Sequence, residues 1–260
     1  MELTVLGCAG GVGRAGEACS GYLVREGQTR VLLDCGAGVT SNLQRVCGLE
    51  QVDDVVISHW HADHSSDAGV LVHGRIIQRI LGQASGTLRF YAPESQPDLE
   101  RVGRADQGCA SRAVRPGDAL SIGGLRVEFH QTKHPVVCHA MRVTGPDGAV
   151  LVYTADACLT PELAEFCRGA DLLVAECSLY PGVSGEGPGH MSADDSIQLA
   201  RAACPARLVL THLPFYGRRE DLVEHVRSGW DGQVDLAHEL ASYQVRCGEV
   251  RPLGALGEAC

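Results

Sequence analysis

The run His59-Trp60-His61-Ala62-Asp63-His64 packs four potential metal ligands into six residues, directly behind the apolar stretch Val55-Val56-Ile57-Ser58. On an extended backbone alternate side chains point the same way, so His59 and His61 can share one ion. A chain that then turns into a helix near Asp67 aims Asp63 and His64 at a second ion close by, a spacing suited to a dinuclear site. The plain alternative is a loop of solvated histidines. Against it, three more ligand-type residues occur just beyond apolar runs: His134 after Phe129-His130-Gln131-Thr132-Lys133, Asp156 after Leu151-Val152-Tyr153-Thr154, and His212 after Leu208-Val209-Leu210-Thr211. Strand ends are where α/β folds assemble their sites. Whatever the chain folds into must bring these ends together.

The remaining pattern agrees with such a fold. Short β-rich runs occupy 3–6, 31–34, 55–58, 88–91, 125–130, 150–153, 172–176 and 208–211, each ending near Gly, Asp, Ser or His. Helical patterns lie between them at 39–46, 67–81, 161–167, 193–203 and 219–226. Ser192 followed by Asp195 has the look of a helix start, a short acceptor with a carboxylate in the first turn. Residues 118–153 read as β-hairpins and the rest as βα units, which predicts an α/β layered architecture. Breakers and weak periodicity make 94–116 the expected irregular stretch. No linker, repeat or low-complexity segment divides the chain, so one domain over 1–260 is expected.

Charge and cysteine usage narrow the function classes. With 22 Lys plus Arg against 32 Asp plus Glu, the formal charge of −10 and the lack of a polybasic run argue against extended nucleic acid as a partner. No apolar stretch approaches the roughly 20 residues of a membrane span, and the first residues enter a strand without a basic leader, so a cytoplasmic protein is expected, with no membrane partner. The 12 Cys are dispersed with no CxxC pair, which reads as reduced, mostly buried thiols rather than a disulfide framework.

At the level of whole motifs the sequence resembles the metallo-β-lactamase fold superfamily, most of all the branch of tRNA 3′-processing ribonucleases and small cyclic-phosphate phosphodiesterases. The resemblance is carried by Gly7 to Gly13 with Ser20-Gly21-Tyr22, Leu32-Leu33-Asp34-Cys35-Gly36, the HxHxDH run, Thr132-Lys133-His134-Pro135, Tyr153-Thr154-Ala155-Asp156, Gly189-His190-Met191-Ser192 and Leu210-Thr211-His212-Leu213. It implies an αββα sandwich with the metals at one edge. It also implies that His59, His61 and His134 bind a first ion, that Asp63, His64 and His212 bind a second, and that Asp156 bridges them. Asp34 would orient ligands, against the alternative of an ordinary turn Asp. Thr154-Ala155 stands where the family commonly has Ser-Gly, and Met141 where many relatives have an aromatic-Arg pair nearby.

Two divalent ions follow as cofactors, with Zn²⁺ natural for an imidazole-rich, carboxylate-bridged set and Mn²⁺ or Fe²⁺ compatible with it. Such a pair would hold a bridging water as hydroxide near neutral pH, which favours hydrolysis. The catalytic assignments implied are His190 as general acid or phosphate donor, Glu176 as the carboxylate orienting it, and Asp63, which doubles as a ligand. A surface-loop histidine and a strand-end salt bridge are the plain readings of His190 and Glu176. His73, His130, His225 and His238 read as structural, whereas His139 could line the pocket. Trp60 and Tyr216 are candidates for the cleft wall against a core role, and Cys138, Cys158 and Cys177 lack a base partner and read as packing residues.

Only 21 residues separate His134 from Asp156, leaving no room there for the tRNA-gripping arm of the processing enzymes. The first expectation is therefore a phosphodiesterase acting on a small or cyclic phosphodiester, a small-molecule substrate being the expected partner. Relatives often dimerise, so the resemblance allows a homodimer. A thioester, lactone or lactam hydrolase on the same metals is the alternative. A second alternative is a non-hydrolytic protein, either an iron-dependent redox enzyme or a metal-binding module. Redox relatives usually carry a carboxylate where His61 stands, and the full ligand set speaks against an inert module.

Overall fold

The structure is a computed structural model and describes residues 1–255; Cys260 lies outside the described residues. One sheet has eight strands in the order β15-β14-β1-β2-β3-β4-β5-β6. These are β1 (Glu2–Gly7), β2 (Gly21–Glu26), β3 (Thr29–Leu33), β4 (Asp54–Val56), β5 (Leu88–Ala92), β6 (Cys109–Ala113), β14 (Ala241–Arg246) and β15 (Glu249–Ala255). The other has seven in the order β13-β12-β11-β10-β9-β8-β7, comprising β7 (Ala119–Ile122), β8 (Leu125–Gln131), β9 (His139–Thr144), β10 (Val150–Tyr153), β11 (Leu172–Glu176), β12 (Arg207–Thr211) and β13 (Val234–Leu236).

Alternation along the strands sorts their apolar side chains into two layers. Leu32 and Val55 join a buried cluster with Val39, Leu43, Leu71 and Leu99, which belong to α1 (Val39–Leu43), α3 (Ala68–Ile80) and α4 (Gln96–Val102). Their neighbours Val31, Leu33 and Val56 face the other way and join Val127, Phe129, Met141 and Val143 of the second sheet. That sheet carries α5 (Pro161–Cys167), α6 (Ala193–Ala203) and α7 (Arg219–Gly229). The arrangement is the expected αββα sandwich, and no described helix is long and apolar enough to cross a membrane.

The topology fixes where the site lies. β3, β4, β5 and β6 run parallel, as do β10, β11, β12 and β13, and β8 points the same way as β10 because both are antiparallel to β9. The C-terminal ends of β3, β4, β8, β10, β11 and β12 therefore meet at one rim.

Three expectations are corrected. Residues 94–116 contain α4 and β6: Pro97 sits in the first turn, where its missing N–H costs nothing, and Leu99 and Val102 are buried. The first helix stops at Leu43 rather than 46, its last turn relaxing into turns closed by Arg45 and Val46. Ahead of α3 a separate short helix, α2 (Ala62–Ser65), carries Asp63 and His64. The Ser192 helix start is as expected, a reciprocal capping box with Asp195.

His139 is buried at 1% exposure among core residues beside Phe129, away from the pocket it was expected to line. Neither ring nitrogen has a hydrogen-bond partner among the described residues. Burial pushes its pKa down from 6.5 to about 4, with Asp118 opposing weakly. The unfolded chain takes up a proton here below about pH 6.5 and the folded chain only below about 4. Stability is thus intact above 6.5 and lost as the pH falls toward 4, by about 2 kcal/mol at pH 5. Urea unfolding of chelated protein at pH 8 and pH 5 should show the wild type losing about 2 kcal/mol more than His139→Leu. Equal losses would mean that the imidazole is not held neutral.

Candidate metal centre

Three rim residues leave their strands in the left-handed backbone region: Asp34 after β3 (φ 57°), Ala155 after β10 (φ 50°) and His212 after β12 (φ 51°). This conformation ends the strand at the rim, where Asp34 and His212 present their own side chains to the cluster and Ala155 presents the Asp156 that follows it. It costs a non-glycine residue of order 1 kcal/mol or more. Ala155 occupies the position where relatives commonly carry glycine, and it adopts the φ that glycine would take freely.

The seven ligand candidates converge into two groups of close donor atoms. His59, His61, His134 and Asp156 form one; Asp63, His64, Asp156 and His212 form the other. Asp156 belongs to both. Within the first, His61 Nδ1 lies 3.0 Å from His59 Nε2 and 3.2 Å from His134 Nε2. Within the second, Asp63 Oδ2 lies 3.1 Å from His212 Nε2. His64 Nε2 and Asp156 Oδ1 face each other at 3.2 Å, yet both are buried without a hydrogen-bond partner among the described residues. Two ligand-type atoms left unbonded in a buried cluster fit a cation that binds both.

The second nitrogen of four imidazoles is fixed by the protein. His64 Nδ1 donates to Asp34 Oδ2 (2.7 Å), and His134 Nδ1 donates to the Gly189 carbonyl (3.0 Å). His59 Nδ1 contacts Ser58 Oγ (3.0 Å), whose hydroxyl donates to Asp34 Oδ2 (2.8 Å). His212 Nδ1 contacts Ser178 Oγ (2.7 Å), whose hydroxyl donates to Glu176 Oε2 (2.5 Å). Each serine spends its proton on a carboxylate, so the imidazole must donate to the serine and keep its Nε2 lone pair for the cluster.

Asp34 also accepts from Ser58 N (2.7 Å) and Tyr153 Oη (2.8 Å), so it is an orienting group rather than a bare turn residue. Ser58 and Ser178 carry no signal in sequence, since a serine beside a strand end looks like any other.

The electrostatics follow from burial and pairing. Burial and the neighbouring His64 push His59 down, and burial pushes His134 down, which favours neutral imidazoles. Burial disfavours charge on His64, but the Asp156 and Asp34 carboxylates outweigh it and hold its pKa well above the usual value. Burial would raise Asp156, but His212 and His64 hold it well below the ordinary carboxylate range.

His190 and Glu176 are brought together. His190 Nδ1 lies 3.0 Å from Glu176 Oε1, which also accepts from Ala157 N (2.7 Å), and among the described residues the fully buried Glu176 has no Arg or Lys partner. The loop ahead of His190 is tight. Gly189 has φ 80°, and a Cβ there would lie 2.5 Å from Pro135 Cδ.

A cleft of about 290 Å³ is lined by His61, Asp63, Asp156, His190 and His212 together with Phe215 and Tyr216. Trp60 lies beyond His61, its indole donating to the Pro93 carbonyl. His130 stacks on Phe166 and His225 pairs with Asp194, both outside the cluster. Cys138, Cys158 and Cys177 are buried, and burial raises all three thiols.

A family profile described as Beta-lactamase superfamily domain matches residues 29–213. Among curated proteins, the chain is 36% identical over 240 residues to the probable metallo-hydrolase YhfI of Bacillus subtilis, covering 91% of this chain and 97% of that one. The crystal structure of YhfI superposes with a TM-score of 0.88 over 96% of this chain and 98% of that chain. A ribonuclease Z of Bradyrhizobium diazoefficiens is 28% identical over 85% of this chain and 91% of its own. A diphosphatase from the PhnP family shares the fold with a TM-score of 0.72 at 20% identity, over 97% of this chain and 98% of its own.

Proposed function

The chain belongs to the metallo-β-lactamase superfamily of metal-dependent hydrolases, and from that membership we propose that it is a phosphodiesterase cleaving a small or cyclic phosphodiester. The observation that carries this reading is His190, a proton-bearing imidazole backed by Glu176 and opening onto the same cleft as both ligand groups. A thioester expels a thiolate that needs little help from such a donor, whereas a phosphodiester must expel an alkoxide that needs a proton. Names among the relatives point the same way, ribonuclease Z and diphosphatase both being phosphoester or phosphoanhydride hydrolases.

In this reading His59, His61, His134 and Asp156 hold one ion, and Asp63, His64, His212 and Asp156 hold the other. The donor set, five imidazoles and two carboxylates without a thiolate, suits Zn²⁺ and also accepts Mn²⁺ or Fe²⁺. When bound, such a pair lowers the pKa of water toward neutrality and neutralises phosphate charge. The chain's own residues do the rest. Asp34 and Ser58 hold His64 and His59 in the ligating tautomer, Ser178 does so for His212, and His190 presents its Nε2 proton to the leaving oxygen. The short β9–β10 hairpin between His134 and Asp156 and the small cleft favour a small substrate over a tRNA body.

The test compares metal-loaded protein on bis(p-nitrophenyl) phosphate and on an alkyl thioester. Phosphodiester kcat/KM should exceed thioester kcat/KM by about a hundredfold, and chelation should abolish both. The reverse order would replace this reading with a carbonyl hydrolase.

A further inference from the structure

The segment between His212 and α7 contributes Pro214, Phe215 and Tyr216 to the cleft that the ligand groups line, and its rings are exposed while its backbone is held by hydrogen bonds. Phe215 is 56% and Tyr216 49% exposed, a large apolar surface to leave uncovered beside a cluster of charged groups. Their rings meet edge to face, with centroids 5.5 Å apart, and Tyr180 packs behind Tyr216 at 5.8 Å.

The backbone beneath them is fastened at every step. Gly10 N donates to the Leu213 carbonyl (3.0 Å), Arg219 Nε to Pro214 (2.8 Å), Arg14 Nε to Phe215 (3.0 Å), Tyr180 Oη to Tyr216 (3.1 Å) and an Arg14 terminal nitrogen to Gly217 (2.7 Å). Gly217 has φ 68°, and a Cβ there would fall 2.1 Å from Tyr180 Oη. Rings fixed in place by their backbone lose little further freedom when a ligand covers them, which is what preorganisation requires.

The chemistry of the rest of the lining is equally informative. No Lys or Arg is among the described residues that line the cleft, and the Arg14 guanidinium is spent on the loop carbonyls. A second anionic group on the substrate would find no Lys or Arg beyond the ligand groups and His190, while a flat uncharged ring would meet the face of one aromatic ring and the edge of the other.

We propose that Phe215 and Tyr216 form a fixed aromatic platform that receives a flat, uncharged aromatic or heteroaromatic group carried by the phosphate ester. The site then selects aryl-type phosphodiesters over aliphatic or multiply phosphorylated ones. This rests on the phosphodiesterase reading above and names the substrate class within it.

The experiment is calorimetric titration of the metal-loaded full chain with phenyl phosphate and with methyl phosphate. In the wild type the phenyl ester should bind about tenfold more tightly, the range for an aromatic contact. In the double variant Phe215→Ala, Tyr216→Ala the ratio of the two dissociation constants should fall to about one. Phe215→Tyr with Tyr216→Phe, which keeps both rings, should retain it. Equal affinities in the wild type, or a preference that survives removal of both rings, would overturn the platform and leave the phosphodiesterase reading standing. Failure of the wild type to bind either phosphate would overturn both.

Discussion

His190→Ala should lower turnover of a phosphodiester by about 10² to 10⁴-fold while leaving metal content unchanged. Burial alone would make this imidazole less basic, but its bond to Glu176 and the nearby carboxylates of Glu176, Asp156 and Asp63 raise its pKa to about 9. Cations in the two groups would neutralise Asp156 and Asp63 and draw the value back toward that of an ordinary imidazole, leaving the Glu176 bond as the lasting contribution. With Nδ1 committed to Glu176, the proton to be given away is on Nε2. A donor matters most when the leaving group is a poor one, so the loss should be greatest for an alkyl leaving group and smallest for p-nitrophenolate. Steady-state rates on a matched pair of diesters measure this directly. A uniform loss for both leaving groups would reduce His190 to a binding residue, and an intact rate on the alkyl diester would remove it from the reaction.

Asp156→Ala should be more damaging still. The carboxylate is the one member common to both ligand groups, with Oδ1 3.2 Å from His64 Nε2 and 3.3 Å from His212 Nε2, and Oδ2 3.6 Å from His59 Nε2. Its removal takes a ligand from each group at once and leaves closely packed imidazoles without the anion that offsets them. Metal analysis should fall from about two ions per chain to below one, and phosphodiester turnover by at least about 10³-fold. Retention of two ions by the variant would show that Asp156 bridges nothing. Far-UV circular dichroism separates this outcome from unfolding, because β10 and its ladder to β11 do not depend on the side chain.

Much of this centre was legible in the sequence because ligand chemistry is rare and sits at a rare address. The seven ligand candidates named from the HxHxDH run and the strand ends fall into two groups of close donor atoms, and the helices at 161–167 and 193–203 have their expected bounds. Other parts could not be read. β14, Ala-Ser-Tyr-Gln-Val-Arg, mixes polar and apolar residues, and its strand character comes from the β1 and β15 neighbours it pairs with. The segment 94–116 looked irregular because α4 opens on a proline and is barely two turns long, too short for periodicity to register. Ser58 and Ser178 act through a single hydroxyl proton, which no spacing rule reveals. His139 stood close to a ligand in the chain, yet strand alternation turned it into the core.

The eight-stranded sheet and its connections supply His59, His61, Asp63 and His64, whereas His134, Asp156 and His212 come from the other half of the sandwich. Either group thus draws two donors from each half, and an occupied centre would be a clasp across layers that also meet through apolar contact and a few hydrogen bonds such as Tyr153 Oη to Asp34. By mass action the free energy of holding that clasp shut grows with the logarithm of free metal over its dissociation constant. By the same relation, metal-stripped copies should open first at the rim and be cut there by a protease sooner than loaded ones.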